Sequence, residues 1–238
     1  MKNKLAKRII FLLSLSISLM PMARANASKN QTKNKLMNGV NTISKETRKL
    51  RASKDLQYQQ LQKDLDEFYD KGSSKIPSDN MFYLLKKNDF TAEELDNGLR
   101  NTNLLGLGAD FKKAEEDYGV NAILLMAMAK HETGNGQSEL FLKKNNLFGF
   151  NAYDYDPYNQ AKDFKSPGES IDTVAKHLKE NYLNPKGAYY KGISTDAIGI
   201  HYATDPDWSK KVNWMMIEVA QSMIDTFNEE AGINLSFF

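Results

Sequence analysis

The chain has no cysteine. That removes a disulfide framework, a thiol nucleophile, a cysteine-ligated metal and a lipid-attachment cysteine. Histidine is scarce, with three in 238 residues. His131-Glu132 begins like a zinc-protease motif, but that motif needs a second histidine four residues on, and position 135 is Asn135. His177 and His201 show no ligand spacing and read as structural or surface residues. No Gly-x-Ser-x-Gly elbow is present, so nucleophilic serine chemistry has no support. Neither standard phosphate-cradling glycine loop occurs. No internal repeat is visible. No cofactor and no metal are expected.

The apolar run Ile9 to Leu19, diluted by serines, is too short for a full membrane span, which needs about 20 residues. It follows Lys2, Lys4, Lys7 and Arg8 and precedes Ala23-Arg24-Ala25. A basic start, a short apolar centre and a small-x-small end predict a secretory signal peptide over residues 1–25. Cleavage falls after Ala25 or Ala27. Retention at the membrane is the alternative if the signal stays uncleaved.

Charge of one sign is locally absent too. Residues 1–25 hold five Lys/Arg and no Asp/Glu. Residues 26–75 carry eleven Lys/Arg against six Asp/Glu, and residues 76–238 carry sixteen against twenty-four. An acidic body is a poor nucleic-acid binder. The basic leader reads as a solvated linker, with contact to anionic wall polymers as the alternative.

What is present is a globular composition, 41% hydrophobic and 26% charged, enough to bury one core. Residues 26–49, polar and poor in apolar anchors, are expected to be a flexible linker. Leu50, Leu56, Leu61, Leu65 and Phe68 then predict a loose amphipathic helix broken at Gly72-Ser73-Ser74. Thr91 to Glu94 is a capping box. Asp110 is expected to cap a helix that Gly119 stops. Val120 to Lys130 is apolar nearly all round and predicts a buried helix. Residues 133–165, rich in Gly, Asn, Asp and aromatics, predict an irregular lobe with a short hairpin. Ser166 to Glu169 is a second capping box, with Ile171, Val174, Leu178 and Tyr182 at helical spacing behind it. Residues 183–204 are turn-rich. Asp205-Pro206 is expected to cap a last helix that buries Val212, Met216, Val219, Met223 and Phe227.

One carboxylate sits where chemistry is plausible. Glu132 ends the buried helix, where burial and the negative end of the helix dipole both favour the protonated form. A glycosidase needs such an acid to protonate the leaving glycosidic oxygen. A solvated or locally bonded helix-end Glu is the other reading of the same position. The lobe behind it interleaves Phe148, Phe150, Tyr153, Tyr155, Tyr158 and Phe164 with Asn145, Asn146, Asn151, Asp154 and Asp156. Aromatic faces cover sugars and amides bond hydroxyls, so a carbohydrate cleft is expected, with Phe148 and Phe164 packing the lobe. Trp208 can wall this cleft or staple the last helix.

Three ordered motifs, HETGNGQS, KNNLFGF and YATDPDW, with their flanks, resemble the glucosaminidase domain of bacterial autolysins, glycoside hydrolase family 73, over about residues 80–228. The resemblance implies an α+β, predominantly α, lysozyme-like domain with a small irregular or β lobe, here behind an N-terminal helical extension. The division expected is a signal peptide at 1–25, a basic linker and amphipathic helix at 26–77, and a catalytic domain at 78–238. The implied activity is endo-cleavage of the β-1,4 bond after N-acetylglucosamine in peptidoglycan glycan strands, by a secreted monomer at the cell wall. The family's catalytic acid falls on Glu132 and its cleft tyrosine on Tyr202. Asn146 and Phe148, with Gly149, match the motif that turns the chain under the cleft. The substrate-binding set expected is Asn146, Phe148, Tyr153, Asp154, Asp156, Asp205 and Trp208, with Asp205 also read as a helix cap. For the second catalytic group, Asp154, Asp156 and Asp163 are candidates; alternatively the substrate's own acetamide oxygen serves, with Tyr202 orienting it. A lytic transglycosylase and a non-catalytic wall-binding module are the competing readings.

Overall fold

The structure, a computed structural model, describes residues 27–150, 161–230 and 232, with side chains from residue 33 onward. The expected signal peptide and the lobe segment 151–160 lie outside the described residues. The chain divides into two compact units between Asp55 and Leu56.

Helix α1 runs Ala27–Lys71 and contributes to both units. Residues 27–49 are therefore helical, not the flexible linker expected. Their Lys, Arg, Leu, Met and Gln are good helix formers, so lack of a core does not remove the local preference. Thr42 and Thr47 close their hydroxyls back onto the carbonyls of Asn38 and Ile43, each at 2.9 Å. Leu36, Met37 and Val40 are each 54% exposed.

In the second unit the same helix buries Tyr58, Leu61, Leu65 and Phe68 at alternating three- and four-residue spacing. Leu50 and Leu56, grouped with them in the sequence, are exposed. Gly72 ends the helix at φ 72°. The Phe68 ring stacks on Phe82 at 4.7 Å. Asp64 accepts the Met81 N–H at 2.8 Å, and Asn80 donates to Glu67 at 3.0 Å, which fastens the irregular segment after the helix. Phe68→Ala is expected to cost about 3–5 kcal/mol of unfolding free energy, the usual range for a buried ring. Leu36→Ala should change it by about 0.5 kcal/mol or less. Urea titrations of the two variants test the contrast.

Helix α2, Ala92–Asn97, starts with the capping box read in the sequence: Thr91 N–H donates to Glu94 at 2.7 Å and Glu94 N–H to Thr91 Oγ1 at 3.2 Å. Helix α3, Gly108–Tyr118, does not use Asp110 as its cap. Asp96 of α2 does that work, accepting the N–H groups of Gly106 at 2.9 Å and Gly108 at 2.8 Å. The two helices meet so closely that a Cβ on Gly108 would lie 2.2 Å from the Ala92 carbonyl oxygen. Gly119 stops α3 at φ 64°, as expected.

Helix α4, Ala122–Thr133, is buried without a break from Ala122 to Lys130. Asn121, fully buried, caps it by accepting from Ile123 at 2.8 Å and Leu124 at 3.4 Å. The same side chain donates to the Met81 and Tyr83 carbonyls at 2.8 and 3.0 Å. Within the expected irregular lobe, Glu139–Lys144 forms a short helix, α5, capped by Ser138 and braced by a Glu139–Lys143 pair. Helix α6, Pro167–His177, continues into a π-helical turn, Leu178–Tyr182, and buries Ile171, Val174, Leu178 and Tyr182 as predicted. The turn-rich stretch hides helix α7, Thr195–Tyr202, capped by Ser194. Helix α8, Trp208–Glu230, buries Val212, Met216, Val219 and Met223, and Phe227 packs against the core, stacked on Tyr58 at 4.0 Å.

The fold is predominantly helical, as the resemblance implies, and no strand occurs among the described residues. Its centre is the contact of α4 with α8. Gly98, after α2, completes this layer: a Cβ there would lie 2.9 Å from Met126 and from Val219. The α4–α8 contact carries the C-terminal end of α4 to the N-terminal end of α8, where the candidate site lies.

Candidate active site

Glu132 is the penultimate residue of α4. The chain leaves that helix through three consecutive left-handed residues, Gly134, Asn135 and Gly136, at φ 56°, 61° and 81°. Glycine suits two of these positions and asparagine tolerates the third. The turn is pinned from both sides. Thr133 Oγ1 accepts the Gly136 N–H at 2.7 Å, and Asn103 donates its backbone N–H to Asn135 O and its side-chain amide to Gly136 O.

The Glu132 carboxyl is only partly exposed. Burial raises its pKa above the ordinary carboxylate range, and a hydrogen bond from Trp208 opposes that rise. The negative end of α4 adds to the upward push. Trp208 Nε1–H donates to Glu132 Oε1 at 2.9 Å. His131 beside it is held below its ordinary pKa by burial and by Lys211.

Tyr202, the last residue of α7, lies against the Trp208 ring at 5.0 Å between centroids. Burial, the Glu132 charge and Tyr182 push its phenol pKa well up, so it stays protonated at any ordinary pH. Its hydroxyl donates to the Phe148 carbonyl at a long 3.4 Å. Glu132, Tyr202 and Trp208 are thus brought together from three helices.

Other expected substrate contacts fall elsewhere. Asn146 is 1% exposed and fully spent on backbone. It donates to Phe150 O and Lys162 O at 3.0 Å each and accepts from the Phe148 and Phe150 N–H groups. It holds the turn closed and has no free polar atom for a sugar. The Phe148 ring is buried in the core, so only its carbonyl faces Tyr202. Phe164 packs the lobe, as expected. Asp205 accepts from Asp207 N–H at 2.9 Å and pairs with Lys211 at 2.6 Å, which holds its carboxyl below the usual range. It behaves as the helix-entry residue read beside its substrate role. Asp163 is exposed. Tyr153, Asp154 and Asp156 lie outside the described residues.

Sequence reasoning missed Tyr182 and Tyr189. Tyr182 meets Tyr202 edge-on at 5.9 Å and Tyr189 at 5.1 Å. His177 joins Phe150 to this cluster at 5.4 and 5.7 Å. Tyr189 is 40% exposed. Aromatic count in 182–202 was the available signal, but ring contacts depend on the π-helical turn that brings Tyr182 round. A separate cavity of about 420 Å³, lined by Arg100, Glu218, Asp225 and Glu229 among others, includes none of the site residues.

Residues 108–221 match the family model described as mannosyl-glycoprotein endo-beta-N-acetylglucosaminidase. This segment belongs to the glucosaminidase family of glycoside hydrolases. It contains Glu132, Tyr202 and Trp208, and begins at the close-packed Gly108. A Streptococcus pneumoniae serotype 4 protein provisionally named endo-beta-N-acetylglucosaminidase is 35% identical over 145 residues, covering 59% of this chain and 22% of its own. The bifunctional autolysin of Staphylococcus aureus strain Mu50 is 33% identical over 126 residues, covering 43% and 10%. The chain thus spans about a fifth or less of the curated relatives it matches. The solved structure of S. aureus autolysin E in complex with the muropeptide NAM-L-Ala-D-iGlu aligns with 63% of this chain and 72% of its own, at 25% identity and a TM-score of 0.45. Among the described residues no helix is long and apolar enough to cross a membrane.

Proposed function

We propose that this glucosaminidase-family chain is a secreted peptidoglycan hydrolase. It cleaves the β-1,4 bond after N-acetylglucosamine in wall glycan strands, with Glu132 as general acid. The observation that carries this reading is a single partly buried carboxyl, its pKa raised, at the end of a buried helix and beside a protonated tyrosine. The names of the pneumococcal and staphylococcal relatives support the substrate class. The signal-like start supports an extracellular site of action.

In this reading Glu132 gives its proton to the glycosidic oxygen. The C1–O pair leaves with that oxygen, and positive charge develops on the N-acetylglucosamine ring. Tyr202 acts as a donor that cannot ionise. Its bond to Phe148 O is long, so a better acceptor on the substrate displaces that carbonyl at small cost. The acetamide oxygen of the sugar is such an acceptor, and orienting it toward C1 needs one strong acid and no second protein carboxylate. Water then adds at C1 and returns a proton to Glu132.

Tyr202→Phe removes the donor and keeps the ring. The expected result is a loss of wall-lytic rate of about 10²-fold, the usual scale for one stabilising donor, with unchanged thermal unfolding. Turbidity decay of purified walls measures it, and a variant with the full wild-type rate would remove Tyr202 from the mechanism.

A further inference from the structure

The site contains a group that the acid–tyrosine pair does not use, and it is held on several sides. Trp208 is the first residue of α8 and 2% exposed. Its indole is gripped by α7. A Cβ on Gly199 would stand 3.2 Å from Trp208 Cε3, so that glycine is what lets α7 approach the ring. Tyr202 covers another part of the indole at 5.0 Å. The N–H left over points at one atom, Glu132 Oε1, at 2.9 Å. Among the described residues this is the one hydrogen bond to the Glu132 carboxyl.

An indole N–H donates and never accepts. Oε1 must therefore present a lone pair to it, and the better lone pair of a protonated carboxyl is on the carbonyl oxygen. The acidic hydrogen then sits on Oε2. We propose that Trp208 is the positioning residue of the acid: its N–H fixes Oε1 as acceptor and assigns the transferable proton to Oε2. This rests on Glu132 being the acid.

The consequence for the reaction is directional. Before transfer, Trp208 bonds a neutral carbonyl oxygen. After Oε2–H has passed its hydrogen to the glycosidic oxygen, Glu132 is a carboxylate and the same bond becomes charge-assisted, hence shorter and stronger. The interaction gains strength as charge develops, which is the property that lowers a barrier rather than only binding the ground state. It also checks the effect of burial: without the N–H the carboxyl would hold its proton still more tightly.

The test deletes the N–H and keeps the shape. 3-Benzothienylalanine replaces the indole N–H with sulfur; placed at position 208 by amber suppression, it leaves Trp214 untouched. Trp208→Phe is the simpler companion, and because Trp208 is buried the analogue decides should that variant fail to fold. Rates on soluble uncrosslinked glycan strands are followed across pH. The basic limb of kcat/KM reports the acid in the free enzyme. With the analogue, that limb is expected to move to higher pH. kcat is expected to fall about 10- to 100-fold, the scale of one charge-assisted hydrogen bond, with KM changed by no more than about twofold. A fall in rate with the basic limb in its wild-type place means that Trp208 only packs, and overturns the proposal; so does an unchanged rate. Glu132→Gln run alongside separates the two levels. If Glu132→Gln still turns over, the acid assignment itself fails. If it is inactive while the analogue's basic limb stays put, only the role of Trp208 fails.

Discussion

Glu132→Gln is expected to lower wall lysis by at least about 10³-fold, within the range that a positioned general acid supplies, while leaving the protein folded. Gln keeps the carbonyl that accepts the Trp208 N–H but has no proton to give. The same variant should be more stable than the wild type at neutral pH. Glu132 has a folded pKa above its unfolded value because the carboxylate is poorly solvated. The folded state therefore binds the proton more tightly. The wild type is at full stability below the ordinary carboxylate pKa and loses stability as pH rises through the raised one. Gln does not titrate. The melting-temperature advantage of the variant should thus be smallest in acid and grow toward neutral pH. A difference independent of pH would mean that Glu132 titrates as a solvated carboxyl, and the acid assignment would lose its physical basis.

Asn121→Ala is expected to destabilise the fold by about 2–4 kcal/mol. One part is the lost helix cap, about 1 kcal/mol. The rest is the loss of two side-chain hydrogen bonds to the partly buried Met81 and Tyr83 carbonyls, which keep their other donors, the Asn88 amide and the Lys86 N–H, at about 0.5–1.5 kcal/mol each. Asn121 begins the helix that Glu132 ends, so it also links the irregular segment 72–90 to the floor of the site. Urea unfolding at fixed pH measures the cost. A loss below about 1 kcal/mol would show that Asn121 is not what holds α4 in place.

Much of the helical frame is legible because its signals are local. The Thr91–Glu94 box, Gly119 as a stop, and the spacing of Ile171, Val174, Leu178 and Tyr182 act over one to three turns. Glu132 is legible for the same reason: an apolar run that ends on a carboxylate states its own burial. Residues 27–49 are misread because few apolar anchors say only that no core forms there; helix propensity is a separate matter. Asp96 capping α3 in place of Asp110 depends on two helices meeting at Gly108, which no local pattern encodes. Asn146 suggests a sugar ligand by residue type, yet an amide that can bond a hydroxyl bonds backbone equally well, and a tight turn needs it more. Trp208 is the instructive case. Walling the cleft and stapling the helix are alternatives in the sequence; the indole is buried at the start of the last helix, with its N–H reaching a carboxylate 76 positions earlier.

The most direct test of the account is the reducing end of its product. Purified peptidoglycan is digested with the wild-type protein, the fragments are reduced with borodeuteride, and the new ends are identified by mass spectrometry. The account predicts labelled N-acetylglucosaminitol ends, from hydrolysis after N-acetylglucosamine. Unlabelled 1,6-anhydro-muramic ends would contradict it and make the chain a lytic transglycosylase.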